Sequence, residues 1–164
     1  MLSVTRAATW LEGLPLAAAI RRSNWMFPTI ETVHVLAIVL VVGTILIVDL
    51  RLLGLTSRTR SSGSVMREML PLTWSAFVIA AVSGSLMFIS SASSYADNLP
   101  FRIKLALLLT AGGNMLLFRH YSARTLPDWG SAPQPPRRAR AAAAVSLVLW
   151  ASVIVAGRWI GFSI

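Results

Sequence analysis

Four stretches of the chain are apolar for long enough to cross a bilayer, and no other feature limits the fold as much. A hydrocarbon core of about 30 Å needs roughly 20 helical residues. The stretches run near Pro28–Leu53, Leu70–Ser90, Phe101–Phe118 and Ala142–Gly161. Each is expected to be helical, because hydrocarbon offers loose backbone N–H and C=O groups no partner. The joining segments, "GLTSRTRSSGS", "SSASSYADNLP" and "RTLPDWGSAPQPPRRAR", are rich in chain breakers. With 55% hydrophobic and 13% charged residues, the chain has more apolar surface than one small water-soluble core would hide. The fold class is therefore all-α: an integral membrane four-helix bundle over residues 28–164, after an N-terminal segment of residues 1–27.

That first segment does not read as a cleavable signal peptide. Glu12 and Pro15 interrupt its apolar run, and Arg21 and Arg22 lie beyond the run rather than before it. Trp10, Leu11, Leu14, Trp25, Met26 and Phe27 suit an amphipathic helix lying along the interface.

Charge sets the expected direction. Arg51, Arg58, Arg60, Arg67, Arg119, Arg124, Arg137, Arg138 and Arg140 fall on one side of the spans; Arg6, Arg21, Arg22, Arg102, Lys104 and Arg158 fall on the other. Nine against six places the first and third loops in the cytoplasm and both termini outside. In a bacterial inner membrane the outer side is the periplasm. The net charge of +9 comes with no nucleic-acid motif, since the arginines sit between apolar runs. Nucleic acid is thus excluded as a partner, and the lipid bilayer is the expected one. The absence of cysteine excludes disulfides and thiolate metal sites.

Ionisable groups inside a span are costly and mark candidate sites. His34 lies about 9 Å along the helix axis from Pro28, in the outer leaflet, and Glu31 is one turn above it on nearly the same face. His120 cannot join His34 on one metal. The first and third spans run in the same direction, and the two histidines differ in depth by more than about 20 Å. Lys104 does share the depth of His34, and a shift of 70 residues superposes His34 on Lys104, Gly43 on Gly113 and Asp49 on Arg119. Arg102 and Arg158 flank the same boundary. An imidazole with basic groups above it suits haem b, with His34 as the metal ligand, Lys104 as a second ligand or a propionate partner, Arg102 and Arg158 toward the propionates, and Glu31 in the same cofactor-binding set.

Other chemistry is thinner. "ETVH" has the Glu-x-x-His spacing of di-iron bundles, but the only other glutamates, Glu12 and Glu68, lie outside the spans. No nucleophile motif, phosphate loop or zinc signature is present. Met26, His34 and Met87 lie on the outer side, a set compatible with copper. Asp49 is expected to be neutralised by Arg51 or Arg119 at the inner end. Gly43, Gly84, Gly112, Gly113, Ser83 and Ser85 are small enough to let helices approach closely or to leave room for a flat macrocycle.

The segment "WMFPTIETVHVLAIVLVVGTILIVDLRLLG", with "FRIKLALLLTAGGNMLLFRH", resembles a bacterial four-helix membrane family of unknown function over most of residues 25–160. More distantly, the pattern is similar to the haem-containing membrane protoporphyrinogen oxidases and the copper-resistance D-like membrane proteins. The oxidase resemblance implies the haem-ligand role for His34 and the family's lysine role for Lys104. The chain departs from those oxidases after the first helix, where "VDLRLLG" replaces an arginine- and tyrosine-containing continuation. The expected function is a haem-b membrane protein of redox or electron-transfer type, working with a redox partner or within a larger membrane complex. Two other readings stay open. One is a copper or small-solute handling protein. The other is a cofactor-free accessory subunit in which Glu31, His34 and Lys104 pair between helices.

Overall fold

The computed structural model describes residues 2–56, 61–121 and 135–163, and all regular structure among them is helical. Two short helices, α1 (Leu2–Glu12) and α2 (Pro15–Arg22), precede the first long one, α3 (Met26–Leu52). Then come α4 (Ser62–Ser90), the short α5 (Ala92–Asp97), α6 (Leu99–Tyr121) and α7 (Arg137–Ser163). α3, α4, α6 and α7 are each long and apolar enough to cross a membrane. The 27 residues of α3 span about 40 Å. Arg58, Arg60 and Arg124, which enter the charge count, lie outside the described residues.

Local sequence explains where the helices begin and end. α3 stops at a left-handed Gly54 (φ 78°), a conformation that costs glycine little. The Leu55 N–H donates to the Leu50 carbonyl at 3.0 Å and the Gly54 N–H to Arg51 at 3.1 Å, which closes the last turn. α4 begins at Ser62, well before the apolar stretch that marks it near Leu70. Ser61 accepts the Ser64 N–H at 3.0 Å as a cap, and Ser62, Gly63, Val65 and Met66 are buried ahead of Pro71. α6 is capped by Asn98, whose side-chain oxygen accepts the Phe101 N–H at 2.9 Å.

α3 packs antiparallel on α4, and α6 on α7; the two hairpins meet along α3 and α7. Thr73 donates to Thr44 at 2.8 Å across the first hairpin, and Asn114 donates to the Ala142 carbonyl at 3.0 Å across the second. At the end remote from the N-terminus, Leu52, Ala139 and Ala143 form a buried cluster with Val48, Leu53 and Phe118 against it. The buried seams are lined largely by small residues, among them Ala37, Ala76, Ala111 and Ala156, as membrane bundles require. Large apolar side chains point outward instead: Leu109 is 78% exposed and Val148 67%. That inversion suits a hydrocarbon surrounding.

The N-terminal segment is helical and is divided in two at Gly13 and Leu14. Ala8, Ala17 and Ile20 face inward, while Trp10 and Trp25 are exposed, as an interfacial helix pair demands. Arg21 donates to the carbonyls of Ser90 (2.9 Å) and Glu12 (2.7 Å), and Glu12 Oε1 accepts the Ser93 N–H at 2.8 Å. These bonds strap α1 and α2 over the turn between α4 and α5.

Candidate site at the N-terminal face

Three of the sequence-predicted residues gather at the end that carries the N-terminus. His34, in the third turn of α3, is half-buried, and its Nδ1 lies 3.0 Å from Ser83 Oγ on α4. The imidazole lies against Gly84, where a Cβ would come within 2.9 Å of its Cε1. No real Cβ makes such a contact, so glycine is required at 84 for the ring to sit where it does. The Ala80 backbone, one turn below on α4, is within electrostatic reach of the ring.

Lys104 approaches from the other hairpin. Its stem runs past Gly157 of α7, where a Cβ would lie 3.8 to 3.9 Å from its outer atoms. The ammonium is within electrostatic reach of the His34 ring. Each side chain thus rests on a glycine of its own hairpin partner, His34 on Gly84 and Lys104 on Gly157.

A second layer lies one turn closer to the N-terminal face. Phe101, three residues before Lys104, stacks on Phe88 with ring centroids 5.4 Å apart and planes 9° from parallel. Tyr95 of α5 packs on both, at 5.4 Å from Phe101 and 6.2 Å from Phe88. The exposed Glu31 reaches the Tyr95 phenol electrostatically. Burial, and then that carboxylate, push the phenol above its ordinary value of 10.0.

The remaining predicted residues do not converge. Arg102 is exposed and, two residues from Lys104, lies on another face of α6. Arg158 is exposed, with its guanidinium carbon 4.8 Å from the Phe162 ring centre. His120, at the far end of α6, is exposed with its ring edge-on to Tyr121. Of the small residues expected to bring helices together, Gly84 does so; a Cβ at Gly43, Gly112 or Gly113 would meet nothing within 4 Å among the described residues. Sequence reasoning missed Gly157 and did not single out Ser83 as the partner of His34. The available signal was register: Thr44 with Thr73 and His34 with Ser83 satisfy the same antiparallel alignment.

At the opposite end Asp49 is 5% exposed and hydrogen-bonds Ser146 of α7. Its Oδ2 is buried without a hydrogen-bond partner. Arg51 is buried two residues on, and Arg119 is exposed. No group of three or more histidine, aspartate or glutamate side chains converges among the described residues. The donors at the N-terminal face include the His34 imidazole and the Lys104 amine.

Fold and site together define a bundle of two helical hairpins with four helices of membrane-spanning length, one hairpin carrying His34 and the other Lys104 within electrostatic reach of it. The chain matches the family of unknown function DUF6644 over residues 18–163, which takes in all four long helices, and it belongs to that family. No curated protein and no solved structure matches it.

Proposed function

We propose that this protein binds a haem b at the N-terminal face, with the His34 imidazole as axial ligand, and that it serves electron transfer in a bacterial inner membrane. The observation that carries the reading is that His34 and Lys104, presented by different hairpins and each lying against a glycine, come within electrostatic reach of one another. The donor set fits the group. An imidazole suits the iron, and an amine suits either its opposite face or a propionate. Bound haem would supply a one-electron couple. The chain's part is to hold the imidazole and to place positive charge at Lys104, with Arg102 and Arg158 toward the headgroups. The charge asymmetry supports a periplasmic N-terminal face.

Absorption spectra of the purified protein test this. The expected result is a Soret band, visible bands that sharpen on dithionite reduction, and loss of both in His34→Ala. Lys104→Met changes the spin state if the amine ligates iron, and weakens retention if it holds a propionate. Haem kept by His34→Ala with an unchanged spectrum ends the reading. Bound copper on elemental analysis supports the copper reading instead, and neither cofactor supports helix pairing alone.

A further inference from the structure

We propose that Ser83 is a positioning residue that fixes the tautomer of His34, holding the proton on Nδ1 and leaving Nε2 as a bare lone pair. The assignment follows from counting protons. A serine hydroxyl carries one hydrogen, and Ser83 Oγ lies 2.7 Å from the Ile79 carbonyl and 3.2 Å from that of Ala80, neither of which can donate. With its hydrogen directed to a carbonyl, the oxygen turns a lone pair to His34 Nδ1 at 3.0 Å. The ring edge facing α4 therefore meets an acceptor in the Ser83 oxygen. With the serine hydrogen committed to the Ile79 carbonyl, its shortest contact, the ring completes the bond by bringing an N–H to that edge. A neutral imidazole has a single N–H, and Nδ1 is the atom at the serine. The other nitrogen then keeps its lone pair.

Gly84 makes the arrangement possible. The imidazole lies against the helix where a Cβ would stand 3.4 Å from Nδ1 and 2.9 Å from Cε1. "SG" at 83–84 is thus a two-residue seat: the serine orients the ring and the glycine gives it room. A histidine whose Nδ1–H is bonded in this way is the usual form of a metal-ligating imidazole, because the bond fixes the ring and raises its donor strength. In this respect the inference deepens the haem reading. The tautomer itself is independent of any cofactor.

The test uses full-length protein labelled with 15N-histidine, in detergent and without added haem, in a His120→Gln background so that one ring reports. Nitrogen chemical shifts are expected to show a protonated Nδ1 and an unprotonated Nε2. Ser83→Ala introduces a population of the Nε2–H form, whereas Ser83→Thr, which keeps the hydroxyl, retains the native tautomer. A wild-type ring protonated on Nε2 overturns the proposal without any variant, and so does a Ser83→Ala tautomer identical to wild type. Titration with iron protoporphyrin adds the second readout. Ser83→Ala is expected to bind about tenfold more weakly, and Ser83→Thr close to wild type. Equal binding by Ser83→Ala and wild type overturns the positioning role. If the nitrogen shifts behave as expected and no variant, wild type included, binds protoporphyrin, the haem reading fails and the Ser83 assignment stands.

Discussion

Replacing Gly84 with alanine adds one methyl group, and the structure says where it goes. The new Cβ would sit 2.9 Å from His34 Cε1 and 3.4 Å from Nδ1. The first distance is too short for two carbons, so either the ring swings off Ser83 or α3 and α4 separate. Overpacking of this kind costs about 1–3 kcal/mol. If the ring swings instead, losing the bond between Nδ1 and Ser83 costs about 1 kcal/mol. Against this stands the helix propensity of alanine over glycine, about 1 kcal/mol in favour of the variant. The matched control is Gly112→Ala, on an exposed face of α6 where a Cβ meets nothing within 4 Å. It collects the propensity gain with no clash. The expected difference between the two variants is therefore about 1–3 kcal/mol, set by whichever route relieves the clash. Reversible unfolding of the cofactor-free proteins in mixed micelles, followed by circular dichroism, measures it. Equal stability of Gly84→Ala and Gly112→Ala would refute the packing of His34 on α4, and the site argument with it.

Other outcomes follow from single contacts. Asp49→Ala removes the bond to Ser146 between the hairpins and is expected to cost about 1–3 kcal/mol, measured in the same unfolding assay. Asp49→Asn keeps a partner for Ser146, loses less, and leaves any cofactor spectrum unchanged, since Asp49 lies about 22 Å along α3 from His34. The Tyr95 phenol is raised by burial first and by Glu31 second. Its contribution to stability is therefore full below the ordinary value of 10.0 and is lost as pH rises toward the folded value. Tyrosinate absorbance in a Tyr121→Phe background should show Tyr95 titrating above 10.0, and Glu31→Gln should bring that midpoint down. Arg21→Ala breaks the bonds to Ser90 and Glu12, so α1 and α2 should become more sensitive to limited proteolysis while the site is untouched. A cysteine placed in the loop of residues 133–136, of which 133 and 134 lie outside the described residues, is expected to resist impermeant thiol reagents in intact cells. Ready labelling there would reverse the membrane orientation.

The parts of the fold that were legible are those governed by solvent. Hydrocarbon forces every spanning backbone into a helix, so length and hydropathy alone locate the four long helices. Depth was legible for the same reason. Rise per residue places His34 and Lys104 at one level because their helices run in the same direction. The start of α4 was not, because the first turns of that helix are polar and precede a proline. A Ser61 cap and buried small residues hold them, and neither leaves a hydropathy signal. Lateral neighbours were also hidden. Depth says what shares a level, not which helix lies beside which, so the serine serving His34 and the glycine under Lys104 emerged only with the packing. The face of Arg102 could have been read correctly, since a residue two positions from Lys104 cannot share its side of a 3.6-residue helix.

The division of labour between the hairpins makes the site sensitive to how they meet. His34 is seated on α4 through Ser83 and Gly84, and Lys104 lies along Gly157 of α7. Each hairpin therefore presents its half of the site already oriented, and the distance between halves is left to the contact of α3 with α7. That contact is secured at the far end by Leu52, Ala139 and Ala143, with the Asp49–Ser146 bond beside it. At the near end the strap formed by Arg21, Glu12 and Ser93 holds the turn from which α5 brings Tyr95 onto Phe88 and Phe101. A rigid helix pair pivots more readily than it bends, because its internal hydrogen bonds are complete while the seam between pairs relies on small-residue packing. The separation of His34 and Lys104 is thus set by two groups of contacts at opposite ends of the bundle.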